Sequence, residues 1–218
     1  MKKVVIALTG VKTSGKSTVS EIIESVLFGA REVALADKLK NVCAEAFNLD
    51  KKYFHDQSLK EKNLDQPKKL TTSIALNILS EFNISLSTGQ FDALGAWAIG
   101  REFESPRKIA QIIGTELLRE YGGEDVHCKS LPLHGDINVV SDMRFPNEFR
   151  YFSNMEDIVF LPLYIQRDEA ESHVTEFSHS SETLLFTFTD KCVKIDNNGS
   201  LEETKKQVVD ILKKKELL

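Results

Sequence analysis

The stretch Gly10-Val11-Lys12-Thr13-Ser14-Gly15-Lys16-Ser17 follows the pattern G-x-x-x-x-G-K-[ST]. The chemistry such a stretch performs is the grip of a triphosphate. Its glycines let the backbone curl so that successive N–H groups turn inward around phosphate oxygens. A helix that starts on the loop adds the positive end of its dipole. Lys16 would then reach the β- and γ-phosphates, and the Ser17 hydroxyl would ligate Mg²⁺. The expected nucleotide contacts are Gly10, Lys12, Thr13, Ser14, Gly15, Lys16, Ser17 and Thr18. Four constrained positions coincide by chance in roughly one per cent of chains of this length at average residue usage. The flanking sequence lowers that further.

Those flanks are what the motif needs. Val4 to Leu8 is an unbroken apolar run, as a central parallel strand covered on both faces would be. After Lys16, the residues Val19, Ile22, Ile23, Val26 and Leu27 recur at helical spacing and make one apolar stripe. Further strands are expected at Glu32 to Leu35, Ile137 to Val140, Ile158 to Ile165 and Val193 to Ile195. Pro162 places the 158–165 strand near an edge or bulge. Helices are expected after Leu35, with Leu39, Val42, Cys43, Ala46 and Phe47 on one face, and after Ser105-Pro106, an N-cap followed by proline at the first helical position. Ser200-Leu-Glu-Glu203 reads as a capping box opening a last amphipathic helix. Strands alternating with helices give an α/β, three-layer P-loop fold: a parallel sheet of about five strands flanked by helices. The expected organisation is a single domain over 1–218, with 41–104 as an insertion on its rim. The segment 48–104 shows no pattern clear enough to assign.

The loop alone does not choose among phosphate-handling proteins. A GTPase would carry an N-K-x-D motif, which is absent here. A motor-type ATPase would end an apolar strand in Asp-Glu. The run Ile137 to Val140 ends instead in Ser141-Asp142-Met143-Arg144, with arginine where a hydrolase would hold a water-activating glutamate. That favours transfer to a bound acceptor over hydrolysis. Asp142, at the C-terminal end of an expected sheet strand, stands where ligands bind in open α/β sheets. It is expected to ligate Mg²⁺ or its water, a turn cap being the structural alternative. Arg144 has the planar fork that clamps a phosphate.

By these features the chain resembles the bacteriophage-type deoxynucleoside monophosphate kinases, relatives of the wider nucleoside monophosphate kinase group. The resemblance runs in blocks from end to end: the loop at 10–18; Leu35-Ala-Asp-Lys-Leu-Lys40; Ser105-Pro-Arg-Lys-Ile-Ala-Gln-Ile-Ile-Gly-Thr-Glu116; Asp142-Met-Arg-Phe-Pro-Asn-Glu148; and His179-Ser-Ser-Glu182 followed by Asp196-Asn-Asn-Gly199. It implies ATP and Mg²⁺ as cofactors and a (deoxy)nucleoside 5′-monophosphate as acceptor. It also implies roles. Lys16, Arg144 and Arg167 would stabilise the transferred charge, with Arg167 leading into a lid over ATP at 166–182. Asp37, Leu39, Lys40, Lys60, Arg107, Gln111, Arg144, Glu148, His179 and Glu182 would form the acceptor site, and Asn197 would pack against the adenine. His173-Val-Thr-Glu176 has the same shape as 179–182, so that register stays open. One departure is that the family's Asp-x-Trp is here Asp125-Val-His127.

Composition bounds the partners. The 218 residues are 41% hydrophobic and 28% charged, ordinary for a globular protein, with a formal net charge of −5. An acidic balance argues against coating nucleic acid. Three scattered cysteines without CxxC spacing fit a reduced compartment. The apolar run behind Lys2-Lys3 is too short for a signal core or membrane span. The expected location is the cytoplasm, a host's if the source is viral, with no membrane partner. Pairing into a homodimer stays open, as do the base and sugar preferred. Two alternatives also remain: a P-loop kinase for another small acceptor (phosphomevalonate- or dephospho-CoA-like), and a non-catalytic nucleotide-binding module.

Overall fold

Five strands form one parallel sheet in a computed structural model that describes residues 2–56, 58–175 and 183–218. By internal contacts the chain divides into two compact units. The first joins Met1–Leu35 to Leu131–Leu218, and the second is Ala36–Ser130.

The first unit holds the sheet. In chain order its elements are β1 (Lys3–Thr9), α1 (Lys16–Val26), β2 (Ala30–Val33), β3 (Ile137–Val140), α2 (Pro146–Ser153), β4 (Ile158–Gln166), α3 (Asp168–Glu171), β5 (Val193–Asp196) and α4 (Leu201–Lys214). The strand order is β2-β3-β1-β4-β5. Strand β1 therefore lies in the middle, which is why its side chains from Val5 to Leu8 are fully buried. The register sets which side chains share a face: Ile6 stands beside Val139 and Leu161, Leu8 beside Leu163, and Ile165 beside Ile195. This face packs against Val19, Ile22, Ile23 and Leu27 of α1 and Val208 and Leu212 of α4. On the other face Phe160 of β4 meets Phe149 and Phe152 of α2, at ring separations of 5.7 and 5.8 Å. Phe149 also meets Phe188 at 5.4 Å. The fully buried rings, Phe152 and Phe188, each contribute about 1.5–3 kcal/mol by leaving water, plus a smaller ring–ring term.

One of the sheet's two edge strands is β2. It starts two residues earlier than the sequence suggests and ends at Val33, leaving Leu35 in the link to the second unit. Pro162 sits in β4 opposite Ala7 of β1, while pairing with β5 begins only at Leu163. The missing N–H therefore falls on the side of the strand that is locally an edge. At the C-terminal helix the capping box is formed: Ser200 N–H donates to Glu203 Oε2 at 2.7 Å, and Glu203 N–H to Ser200 Oγ at 3.3 Å.

The second unit is helical. Its helices run Asp37–Ala46, Lys52–His55, Thr72–Glu81, Thr88–Ala98, Pro106–Ile112, Leu118–Gly122 and Val126–Lys129, with a two-residue antiparallel pairing of Lys68–Lys69 to Glu102–Phe103. It has its own core, including Leu39, Cys43, Phe47, Ile78, Leu79, Leu94, Ile109, Ile113 and Leu117. The unit extends on both sides beyond the 41–104 segment. Ser105 caps the helix at Pro106 as its residue type suggests, its hydroxyl accepting from Lys108 N–H at 3.3 Å. That helix then takes one wide turn, Ile113–Leu117, before resuming the α form. Among the described residues no helix is long and apolar enough to cross a membrane.

Candidate active site at the strand ends

In a parallel sheet the loops that leave the carboxyl ends of the strands can meet over one edge of the sheet. Here the chain leaves β1 toward β2 on one side and leaves β4 toward β5 on the other. Between β1 and β4 the connections therefore run in opposite directions, the switch point at which open α/β sheets hold ligands.

The loop after β1 is shaped for an anion. Gly10, with φ +152°, lies so close to its surroundings that a Cβ would come within 2.6 Å of the Ile165 carbonyl and of Ser14 Oγ. Gly15 is the N-cap of α1 at φ +100°, ψ 20°. The first turn of α1 has no acidic residue, and no side chain caps it. Its leading N–H groups have no partner within the helix, by the geometry of any helix start. Contrast α4, whose first turn holds Glu202 and Glu203 and a complete capping box. The chain thus seals one helix start and leaves the other able to receive a negative charge. Lys16 lies across the loop, Nζ donating to the carbonyls of Gly10 at 2.8 Å and Val11 at 2.7 Å. Lys12, Thr13 and Ser17 are exposed on the rim, and Ser14 is buried beneath it.

The loop after β3 carries the other expected charges. Asp142 Oδ1 accepts from Leu35 N–H at 2.7 Å, which ties the end of β2 to the end of β3. Glu148, 4% exposed, sits at the third position of α2, and its Oε2 accepts from the backbone N–H groups of both Arg144 (2.7 Å) and Phe145 (2.9 Å). It therefore fixes the path of the chain at Arg144. After β4, Arg167 is half exposed and its Nη2 pairs with Glu169 Oε2 at 3.1 Å. A short helix, α3, follows it in the expected lid region. His179 and Glu182, expected in the acceptor site, lie outside the described residues.

The loop after β5 reaches back to the phosphate loop. Asn197 N–H donates to the Gln166 carbonyl at 2.8 Å, and Asn198 Oδ1 accepts from Asp168 N–H at 2.9 Å, joining the ends of β4 and β5. Asp196 Oδ1 accepts from Asn198 N–H at 3.0 Å, and this bond is the main reason its carboxyl titrates below the ordinary range. Asn197 Nδ2 donates to the Ser14 carbonyl at 2.8 Å. Thr204 and Gln207 of α4 complete this corner: Thr204 Oγ1 donates to Asn197 Oδ1 at 2.8 Å, while Gln207 bonds both the N–H and the carbonyl of Asp196. Sequence reasoning did not single out Thr204 or Gln207. Their one signal is helical spacing behind the Asp-Asn-Asn-Gly turn.

The remaining expected residues belong to the second unit. Lys40 Nζ pairs with Asp37 Oδ1 at 3.2 Å. His55 stands beside them, Nε2 3.4 Å from Asn41 Oδ1, and titrates below its ordinary value because it is partly buried and faces Lys40. Lys60 and Arg107 are brought together: Arg107 N–H donates to the Lys60 carbonyl at 2.9 Å, and its Nη1 pairs with Glu61 Oε1 at 3.1 Å. Gln111 lies one turn further on, partly buried, its carbonyl accepting from Thr115 Oγ1 at 2.6 Å. Leu39 is 6% exposed and packs against Gly114. His127, where the resembled family has tryptophan, is buried with Nε2 3.2 Å from the Gly114 carbonyl and its ring edge-on to Phe82.

No protein-family model matches the chain. It is 25% identical over 223 residues to a protein of Acanthamoeba polyphaga mimivirus that is provisionally named a deoxynucleotide monophosphate kinase, the alignment covering 94% of each. That relative is a virus protein but not a phage one. Among solved structures, dephospho-CoA kinase from Campylobacter jejuni superposes over 96% of both chains at 15% identity with a TM-score of 0.37. A Thermus thermophilus protein does so over 98% of both chains at 18% identity with a TM-score of 0.37.

Proposed function

We propose that this chain moves the γ-phosphoryl group of ATP onto the phosphate of a (deoxy)nucleoside 5′-monophosphate. The observation that carries the reading is the loop after β1: a glycine-led helix start with no cap and no acid, beside a lysine whose ammonium already lies over the loop carbonyls. Such a start binds phosphate oxygens through backbone N–H groups and dipole together. The acceptor class is supported by the near full-length similarity to the mimivirus protein and by the ordered sequence blocks around Arg144 and Asp196.

Transfer between phosphates asks little covalent chemistry of the protein. The attacking oxygen is already anionic at neutral pH, so no general base is needed. What the chain must supply is alignment and cancellation of charge. The loop N–H groups and Lys16 would hold the β- and γ-phosphates. Arg144, on backbone pinned by Glu148, and Arg167, at the end of β4, would meet the charge that spreads over the moving group. Ser17 and Asp142 supply a hydroxyl and a carboxylate, hard oxygen ligands of the kind Mg²⁺ accepts one or two at a time while keeping waters and phosphate oxygens. Held by these two residues, Mg²⁺ would supply positive charge that offsets the charge of the phosphates.

The test is acceptor-stimulated ADP release with ATP and Mg²⁺. The panel is dGMP, dTMP, dCMP, dAMP, their ribose forms, phosphomevalonate and dephospho-CoA, with Lys16→Ala as control. Stimulation by a nucleoside monophosphate that vanishes in the control is the expected result. Stimulation only by a non-nucleotide acceptor would retain the phosphotransferase and overturn the substrate. ATP binding with no acceptor response would identify a binding module.

A further inference from the structure

A phosphate loop is continuous in sequence, but here its last turn is fastened from the far end of the chain. Asn197 lies directly under Gly15, so close that a Cβ on that glycine would fall 2.1 Å from Nδ2. Both ends of its carboxamide are used within the protein. Nδ2 donates to the Ser14 carbonyl at 2.8 Å, and Oδ1 accepts from Thr204 Oγ1 at 2.8 Å. Thr204 is fully buried, and its hydroxyl lies 3.2 Å from the Ser200 carbonyl as well. The Asn197 backbone is held to the end of β4 through the Gln166 carbonyl. The carboxamide therefore has little freedom to turn.

We infer that Asn197, steadied by Thr204, is a positioning residue for phosphate binding, resting on the reading that this loop grips a triphosphate. The peptide between Ser14 and Gly15 is planar and trans, so its C=O and N–H point in opposite directions. Holding the Ser14 carbonyl down toward Asn197 turns the Gly15 N–H away from it, to the side on which a phosphate would sit. Only a donor can do this at position 197. Aspartate has almost the same shape but would set a carboxylate against the carbonyl and release the peptide. Its negative charge would also lie beneath the anion site. The carboxamide acts on the loop backbone through the Ser14 carbonyl, so the effect is expected on the phosphates and not on the base.

The experiment is calorimetric titration of the full chain with ATP, GTP and inorganic tripolyphosphate, with melting temperature recorded for each variant. Asn197→Asp is expected to weaken all three ligands alike, by about 10- to 100-fold, the loss of one well-placed hydrogen bond. Thr204→Val should weaken them by about 5-fold, and Thr204→Ser, which keeps the hydroxyl, should bind within about twofold of the parent. KM for the acceptor should not change. If Asn197→Asp does not fold, the Thr204 pair decides by the same readout. A selective loss of ATP would overturn the inference in favour of base recognition. So would unchanged tripolyphosphate affinity with a lowered melting temperature, the signature of a merely structural contact. If the parent chain binds none of the three ligands, the phosphate-loop reading itself fails, and this inference with it.

Discussion

Glu148 offers the clearest quantitative prediction. It is buried, and one carboxylate oxygen accepts from two successive backbone N–H groups, those of Arg144 and Phe145. It also stands in the first turn of α2, where a negative charge meets the positive helix end. Glu148→Ala removes the acceptor and leaves two N–H groups in a partly buried loop to find water. Hydrogen bonds to a charged partner contribute about 1.5–3 kcal/mol each, and some of that returns through solvation. A net loss of about 3 kcal/mol follows. For a chain of this size each kcal/mol moves the melting temperature by about 2–4 °C, so a fall of roughly 6–12 °C is expected. Glu148→Gln keeps an oxygen that can accept both bonds but loses the charge, so it should cost about 1 kcal/mol, or about 2–4 °C. Thermal unfolding followed by circular dichroism measures both. ADP release measured well below the melting points should fall further for Ala than for Gln, because the Arg144 backbone is no longer held. Equal melting of the two variants, or an alanine variant within about 2 °C of the parent, would refute the pinning argument.

Other outcomes are equally concrete. Ser105→Ala should lower stability by about 1 kcal/mol, the ordinary worth of an N-cap, read as a shift in urea midpoint. Asp196 and Glu203 both titrate below the ordinary carboxylate range, chiefly through backbone bonds from Asn198 and Ser200. Their folded values lie under their unfolded ones, so their stabilisation is present above that range and drains away as pH falls through it, from roughly pH 5 downward. The melting difference between the parent and Glu203→Gln should accordingly shrink between neutral pH and about pH 3. The Cys192 thiol is pushed up to about 12, first by burial and then by Asp190. Iodoacetamide at pH 8 should leave it unmodified in the folded chain and label it rapidly in urea, as mass spectrometry would show.

The sequence made the sheet legible because its strands are short apolar runs set between caps and glycines. Val4 to Leu8, Ile137 to Val140 and the Ser200–Glu203 box all form as their residue types direct. The second unit was harder to read. Its helices at Thr72–Glu81 and Thr88–Ala98 do carry local signals: the Thr71 hydroxyl accepts from Ile74 N–H, and Ser87 and Gln90 form a capping box. A lysine-rich stretch before them and three glycines around them obscured those signals. The wide turn at Ile113–Leu117, where Gly114 packs against Leu39 and His127, has no signature in residue type. Asn197 could be located from its turn motif but its partner could not. Ser14 lies 183 residues away, and only the folded sheet brings the two together.

The strand order also governs the sequence of events as the chain leaves the ribosome. Neither β1 nor β2 pairs with the other; β3 pairs with both, and β4 supplies the second neighbour of β1. No two strands of the sheet can join until Ile137 has emerged, by which time all of 36–130 is already available. The helical unit can condense from contacts local to itself, whereas the sheet must wait for partners more than a hundred positions apart, which is the slow kind of closure. Until then the apolar β1 is an unpaired nascent strand. Destabilising changes in the sheet unit should therefore show first as aggregation during synthesis, before any loss is visible in the finished protein.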